Sequence, residues 1–163
     1  MSLLSQKTIA RKISISGIGI HTGYKVDVEI LPSSPNSGII FKRIDVKKNN
    51  IVIPNFANVS DVTLCTTISN QFGIKVSTVE HLMAAFYGLG IDNAIVELNS
   101  QEVPILDGSA KEFVKLIKEA GIKVSDVPVK LIKINKKIEV YEGDKFVSID
   151  KSNVAFEIDF EIK

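Results

Sequence analysis

The sequence predicts an α+β fold, a sheet layer packed against a helix layer, and three observations carry that reading. Strand-like alternation fills the first third of the chain. Two segments then switch to helical spacing, each opened by a Ser-x-x-Glu signature and closed by glycine. Alternating strands resume after residue 128.

The elements follow in order. Residues 12–16 alternate, and residues 25–30 do so more clearly, with Val26, Val28 and Ile30 on one face. Gly17, Gly19 and Gly23 between them suit a bend or hairpin, and residues 33–38 are a loop by their turn chemistry. Another strand starts at Ile39, residues 47–50 break the pattern, and the β-formers of 62–68 predict a further strand. Ser77 and Glu80 have capping-box spacing, so a helix is expected from Ser77. At 100° per residue, Val79, Leu82, Met83 and Phe86 share one arc, and Glu80, His81, Ala84 and Ala85 share the other. Two functional groups beside two small side chains predict a helix covered on both sides. Gly88 and Gly90 end it, and residues 93–98 form a strand. Ser109 and Glu112 repeat the cap spacing ahead of a stripe of Phe113, Leu116, Ile117 and Ala120, stopped by Gly121. Residues 125–128 read as a linker. Strands are expected at 131–134, 138–141, 145–149 and 154–162, with a turn at Glu142, Gly143 and Asp144. The expected organisation is a first domain over 1–125 and the start of a second over 126–163. The second has too few residues for a core of its own, so the chain reads as ending early.

Composition excludes several classes. Twenty Lys and Arg against nineteen Asp and Glu leave a net charge of +1, which gives no electrostatic footprint for nucleic acid. No apolar run approaches the roughly 20 residues of a membrane span. The amino terminus lacks a signal-peptide core, and a single cysteine, Cys65, suits a reducing compartment, so a cytoplasmic location is expected.

The most informative residues are Glu80 and His81, adjacent in Thr78-Val79-Glu80-His81-Leu82-Met83-Ala84-Ala85. A carboxylate beside an imidazole supplies a base for water and a ligand for a metal ion. The only other histidine is His21. A catalytic zinc normally takes three protein ligands, so the chain advertises a metal site whose ligand set it does not visibly finish. From local sequence alone, Glu80 reads first as a capping-box glutamate, His81 as a histidine without metal, His21 as a turn residue bonded to backbone, and Cys65 as a small buried hydrophobe. Asp107 and Ser109 read as helix caps. The glycines at 17, 19 and 23 form no nucleotide fingerprint, because no helix follows them.

Five stretches together resemble a known family. They are Ser16-Gly17-Ile18-Gly19-Ile20-His21-Thr22-Gly23, Leu64-Cys65-Thr66-Thr67, the Glu80-His81 helix, Gly88-Leu89-Gly90-Ile91-Asp92-Asn93-Ala94, and Glu102-Val103-Pro104-Ile105-Leu106-Asp107-Gly108-Ser109-Ala110. In this order the chain resembles the amino-terminal portion of the UDP-3-O-acyl-N-acetylglucosamine deacetylases, zinc enzymes of lipid A synthesis. The resemblance implies two similar domains of ribosomal protein S5 domain 2-like fold, with helices facing each other across the active site. It implies that Glu80 is the general base and His81 a zinc ligand. Zinc-bound hydroxide would attack the acetamide carbonyl of a UDP-linked, acylated glucosamine and release acetate. It also implies that Leu64 and Cys65 lie beside the substrate, with His21 near the site mouth.

The family's other two zinc ligands, a histidine and an aspartate, and a further catalytic histidine belong to its second domain, and the chain stops before that motif. Zinc occupancy and activity of this chain alone are therefore not expected, and self-association through the unfinished second domain is. The competing reading is a non-catalytic remnant or binding module of the same fold.

Overall fold

The computed structural model describes residues 4–152 and 157–161. Its contacts divide the chain into two units, Met1–Val129 and Lys130–Lys163.

The first unit is built around a five-stranded sheet. In chain order its elements are β1 (Ser5–Ile9), β2 (Ile13–Ile18), β3 (Lys25–Pro32), β4 (Ile39–Arg43), β5 (Ile51–Val52), β6 (Val59–Asp61), β7 (Thr67–Ser69), β8 (Lys75–Val76), α1 (Glu80–Leu89), β9 (Ala94–Leu98), α2 (Lys111–Ala120) and β10 (Ile122–Pro128). The main sheet runs β2-β3-β9-β4-β5. All its pairings are antiparallel except β4 with β9. Register follows the pleat: Ile13 faces Ile30, Val28 faces Leu98, and Phe41 faces Val96. Successive side chains of a strand point to opposite faces. Val26, Val28, Ile30, Phe41, Ala94, Val96 and Leu98 accordingly meet Leu82, Ala85 and Phe86 of α1 and Phe113, Ile117 and Ala120 of α2 in one core. Polar residues take the opposite sheet face, where Lys12 pairs with Glu29 and Lys42 with Glu97, both at 2.8 Å. The mixed α/β architecture thus has the sheet-and-helix layering read from the sequence.

Three local expectations fail for identifiable reasons. Residues 125–128 are not a linker but the end of β10, which pairs with β1 from Ile9–Ile122 to Ser5–Pro128. A partner nearly 120 positions away overrides the turn-like composition of Ser125 and Asp126. Only residues from Thr67 onward in the 62–68 stretch join a strand, because the Thr63 amide donates to Asp61 Oδ1 (2.9 Å) and Leu64 takes φ +63°. The capping box before α1 does not form: Ser77 instead donates through both N (2.8 Å) and Oγ (3.1 Å) to the Gln101 carbonyl. Gly90 and Gly121 do close the helices, with φ +67° and +80°. Gly88 lies within the last turn of α1 rather than ending it.

The second unit holds a hairpin of β11 (Ile138–Glu142) and β12 (Lys145–Ile149), turned by Gly143 at φ +62°. Tyr141 stacks on Phe146 with ring centroids 5.8 Å apart. No strand forms at 131–134. Of the strand expected over 154–162, residues 154–156 and 162 lie outside the described residues, and 157–161 are not in a strand.

Candidate functional site

Glu80 and His81 open α1, and their placement begins one strand earlier. The Ser77 amide donates to Gln101 O and the Val103 amide donates to Ser77 O (3.0 Å), so Ser77 is laced to the segment after β9. Thr78 then takes φ +57°, a left-handed backbone that a β-branched residue adopts only when its surroundings hold it there. Val79 caps the helix without a side-chain bond.

Because no capping box forms, the Glu80 carboxylate is turned elsewhere. Its Oε2 accepts the Thr66 amide at 3.1 Å. This bond ties the start of α1 to the backbone that follows Leu64 and Cys65 in the chain. Leu64 is 87% exposed on its left-handed backbone. Cys65 is a half-buried free thiol, with Sγ 3.7 Å from Thr67 Oγ1. Glu80 and His81 are both half-buried on the helix face that also carries exposed Ala84. Ala85, expected on that arc, faces the core.

His21 reaches the same neighbourhood through a residue that sequence reasoning left without a role. Glu102 is fully buried, and its carboxylate collects four donors. Oε1 accepts the His21 amide (3.0 Å) and Thr78 Oγ1 (3.0 Å). Oε2 accepts the Thr22 amide (2.8 Å) and Thr22 Oγ1 (2.7 Å). Burial pushes the carboxyl up, but these hydrogen bonds outweigh it and hold Glu102 below the usual carboxylate range. Gly19 is packed against the same carboxylate so closely that a Cβ there would collide with it and with Thr22 Oγ1. The detectable signal was an acidic residue immediately before the apolar Val103-Pro104-Ile105 stretch. The His21 side chain itself is exposed.

Asp107 and Ser109 make local turn bonds. Asp107 Oδ1 accepts the Ser109 amide (3.0 Å), and Ser109 Oγ accepts the Lys111 amide (3.1 Å). The Ser109 donors hold Asp107 below the usual carboxylate range. These bonds occupy both side chains in the turn that leads into α2.

Among the described residues, no three His, Cys, Asp or Glu side chains come together as a metal-binding group. No helix of the described residues is long and apolar enough to cross a membrane.

A family model described as UDP-3-O-acyl N-acetylglycosamine deacetylase matches residues 6–163. Three similar proteins carry the name UDP-3-O-acyl-N-acetylglucosamine deacetylase. The one from Saccharophagus degradans is 46% identical over 98% of this chain and 53% of its own length. That from Pseudoalteromonas atlantica is 43% identical over 98% and 53%. That from Vibrio cholerae is 41% identical over 99% and 52%. The chain therefore spans about half the length of the curated relatives it matches.

Proposed function

We propose a role in amide hydrolysis from one premise: the chain belongs to the UDP-3-O-acyl-N-acetylglucosamine deacetylase family. In this reading it is the base-bearing, amino-terminal half of a zinc deacetylase of lipid A synthesis, working in the cytoplasm. The first domain extends through β10 rather than ending near 125, and the residues after it open the second.

The observation that carries the reading is the orientation of Glu80. It does not serve its own helix as a cap; it is held by the Thr66 amide next to His81. A carboxylate fixed by one oxygen can take a proton from water with the other and deliver it to a leaving amine. Here that transfer would accompany cleavage of the acetamide C–N bond, with acetate released and the glucosamine nitrogen protonated. Leu64 and Cys65, which precede Thr66 in the chain, would touch the UDP-linked acylated sugar, with His21 at the mouth. Zinc, when bound, would polarise the carbonyl and acidify water. One imidazole falls short of the three protein ligands that a catalytic zinc takes, so His81 is one donor of a set completed outside the described residues.

A hybrid tests this. Residues 1–163 replace the matching half of the Saccharophagus degradans relative, and acetate release from UDP-3-O-acyl-N-acetylglucosamine is followed. Glu80→Gln should lower kcat by about 10²–10⁴-fold while zinc content holds. His81→Ala should lower zinc content itself. A Glu80→Gln hybrid as fast as its parent would remove the base assignment.

Self-association belongs to the same proposal. Val140, Phe146 and Phe160 are exposed, and among the described residues the two-stranded hairpin has no further strand on either edge. Sedimentation of the 163-residue chain should show species larger than a monomer as concentration rises.

A further inference from the structure

Glu102 is a buried carboxylate that the deacetylation reading leaves without a task. Among the described residues no Lys, Arg or His side chain pairs with it, and its charge is met by two amides and two hydroxyls. A buried charge needs such bonds, and a role in stability alone does not require one, since an apolar side chain can fill the same space. The position of its donors is informative. Two are on Thr22 and one is the His21 amide, all in the turn between β2 and β3. The fourth is the hydroxyl of Thr78, 2% exposed, whose left-handed backbone sits two residues before Glu80.

We propose that Glu102 is a positioning residue for the Glu80–His81 pair: its carboxylate holds the Thr78 backbone in its left-handed turn and ties it to the His21 turn. The proposal rests on the reading of Glu80 and His81 as functional groups. Without the Oε1 bond, Thr78 can relax toward negative φ. A change of backbone direction at Thr78 swings the first turn of α1, and the Glu80 bond to the Thr66 amide is lost with it. Gly19 belongs to the same device, because any side chain there would displace the carboxylate.

The test is carried out on the 163-residue chain by NMR, comparing Glu102→Gln, Thr78→Val and Thr78→Ser with the parent. The Thr66 amide reports on Glu80, and the ring resonances of His81 report on the imidazole. In Glu102→Gln and Thr78→Val, both sets should shift, and hydrogen exchange at Thr66 should accelerate by about tenfold more than at Val96 in the central strand. Thr78→Ser keeps the hydroxyl and should restore the parent pattern. Equal acceleration at Thr66 and Val96 would mean a purely structural role and would overturn the proposal, as would an unchanged Thr66 in folded Thr78→Val. Should Glu102→Gln not fold, Thr78→Val decides, because it removes one donor and leaves the other three. The readout is geometric, so its failure is separable from failure of the base assignment, which the Glu80→Gln rate measures.

Discussion

β3 and β12 are both strands rich in apolar side chains, and only β3 is buried. In β3, Val26, Val28 and Ile30 are each 1% exposed or less and alternate with Lys25, Asp27 and Glu29 on the other face. In β12, Phe146 and Val147 face opposite ways and are 67% and 66% exposed. The difference is in what surrounds them. β3 has β2 on one edge, β9 on the other and two helices over its apolar face. β12 has β11 alone. Alternation declares which face a strand can bury, and a second layer decides whether it does. A lone hairpin is marginal in water for that reason.

The comparison breaks most easily in the core. Phe113→Ala should cost the first unit about 3–5 kcal/mol, read as a lower urea midpoint, because a fully buried ring leaves a cavity between α2 and the sheet. Glu102→Gln should cost less, about 1–3 kcal/mol, by leaving buried donors facing an amide. It should also change the acid response. Glu102 has a folded value below the usual one, so its stabilisation is complete above the unfolded value, about 4.3, and is lost as pH falls through the folded value. Urea midpoints taken downward from about pH 6 should therefore fall less steeply below that unfolded value in Glu102→Gln than in the parent. In the hairpin, Phe146→Ala should remove about 0.5–1 kcal/mol of local stability through the Tyr141 stack. Amide exchange at β11 should show it while the urea midpoint of the first unit stays put. The exposed Lys12–Glu29 pair should matter least: Lys12→Ala is expected to move that midpoint by under about 0.5 kcal/mol.

Much of the fold was legible because period and punctuation agreed. The buried positions of β3, the stripe of α2 and the glycine stops at Gly90 and Gly121 all follow from local pattern. β1 and β10 were not legible, because each is a strand only by virtue of the other. The capping box at Ser77 was misread because a remote carbonyl, Gln101 O, outbids the helix for the same donors. In the candidate site, the adjacency of Glu80 and His81 was readable. The bond from Thr66, and the role of Glu102 in joining the two ends of the site, arise from contacts 14, 24 and 81 positions apart that no local window contains.

The order of strands in the main sheet carries a consequence for how this chain is made. β9 lies at the centre of the sheet, between β3 and β4, yet it follows both in the chain. A ribosome adding about 5–20 residues per second leaves β3 exposed for seconds before the strand that joins it to β4 has been synthesised. β1 waits longer still, since its partner β10 ends at Pro128. During that interval, the apolar faces of β3 and β4 and the unpaired backbone of β1 stand open to other chains, so slower synthesis lengthens the stage at which the nascent first unit is prone to aggregate.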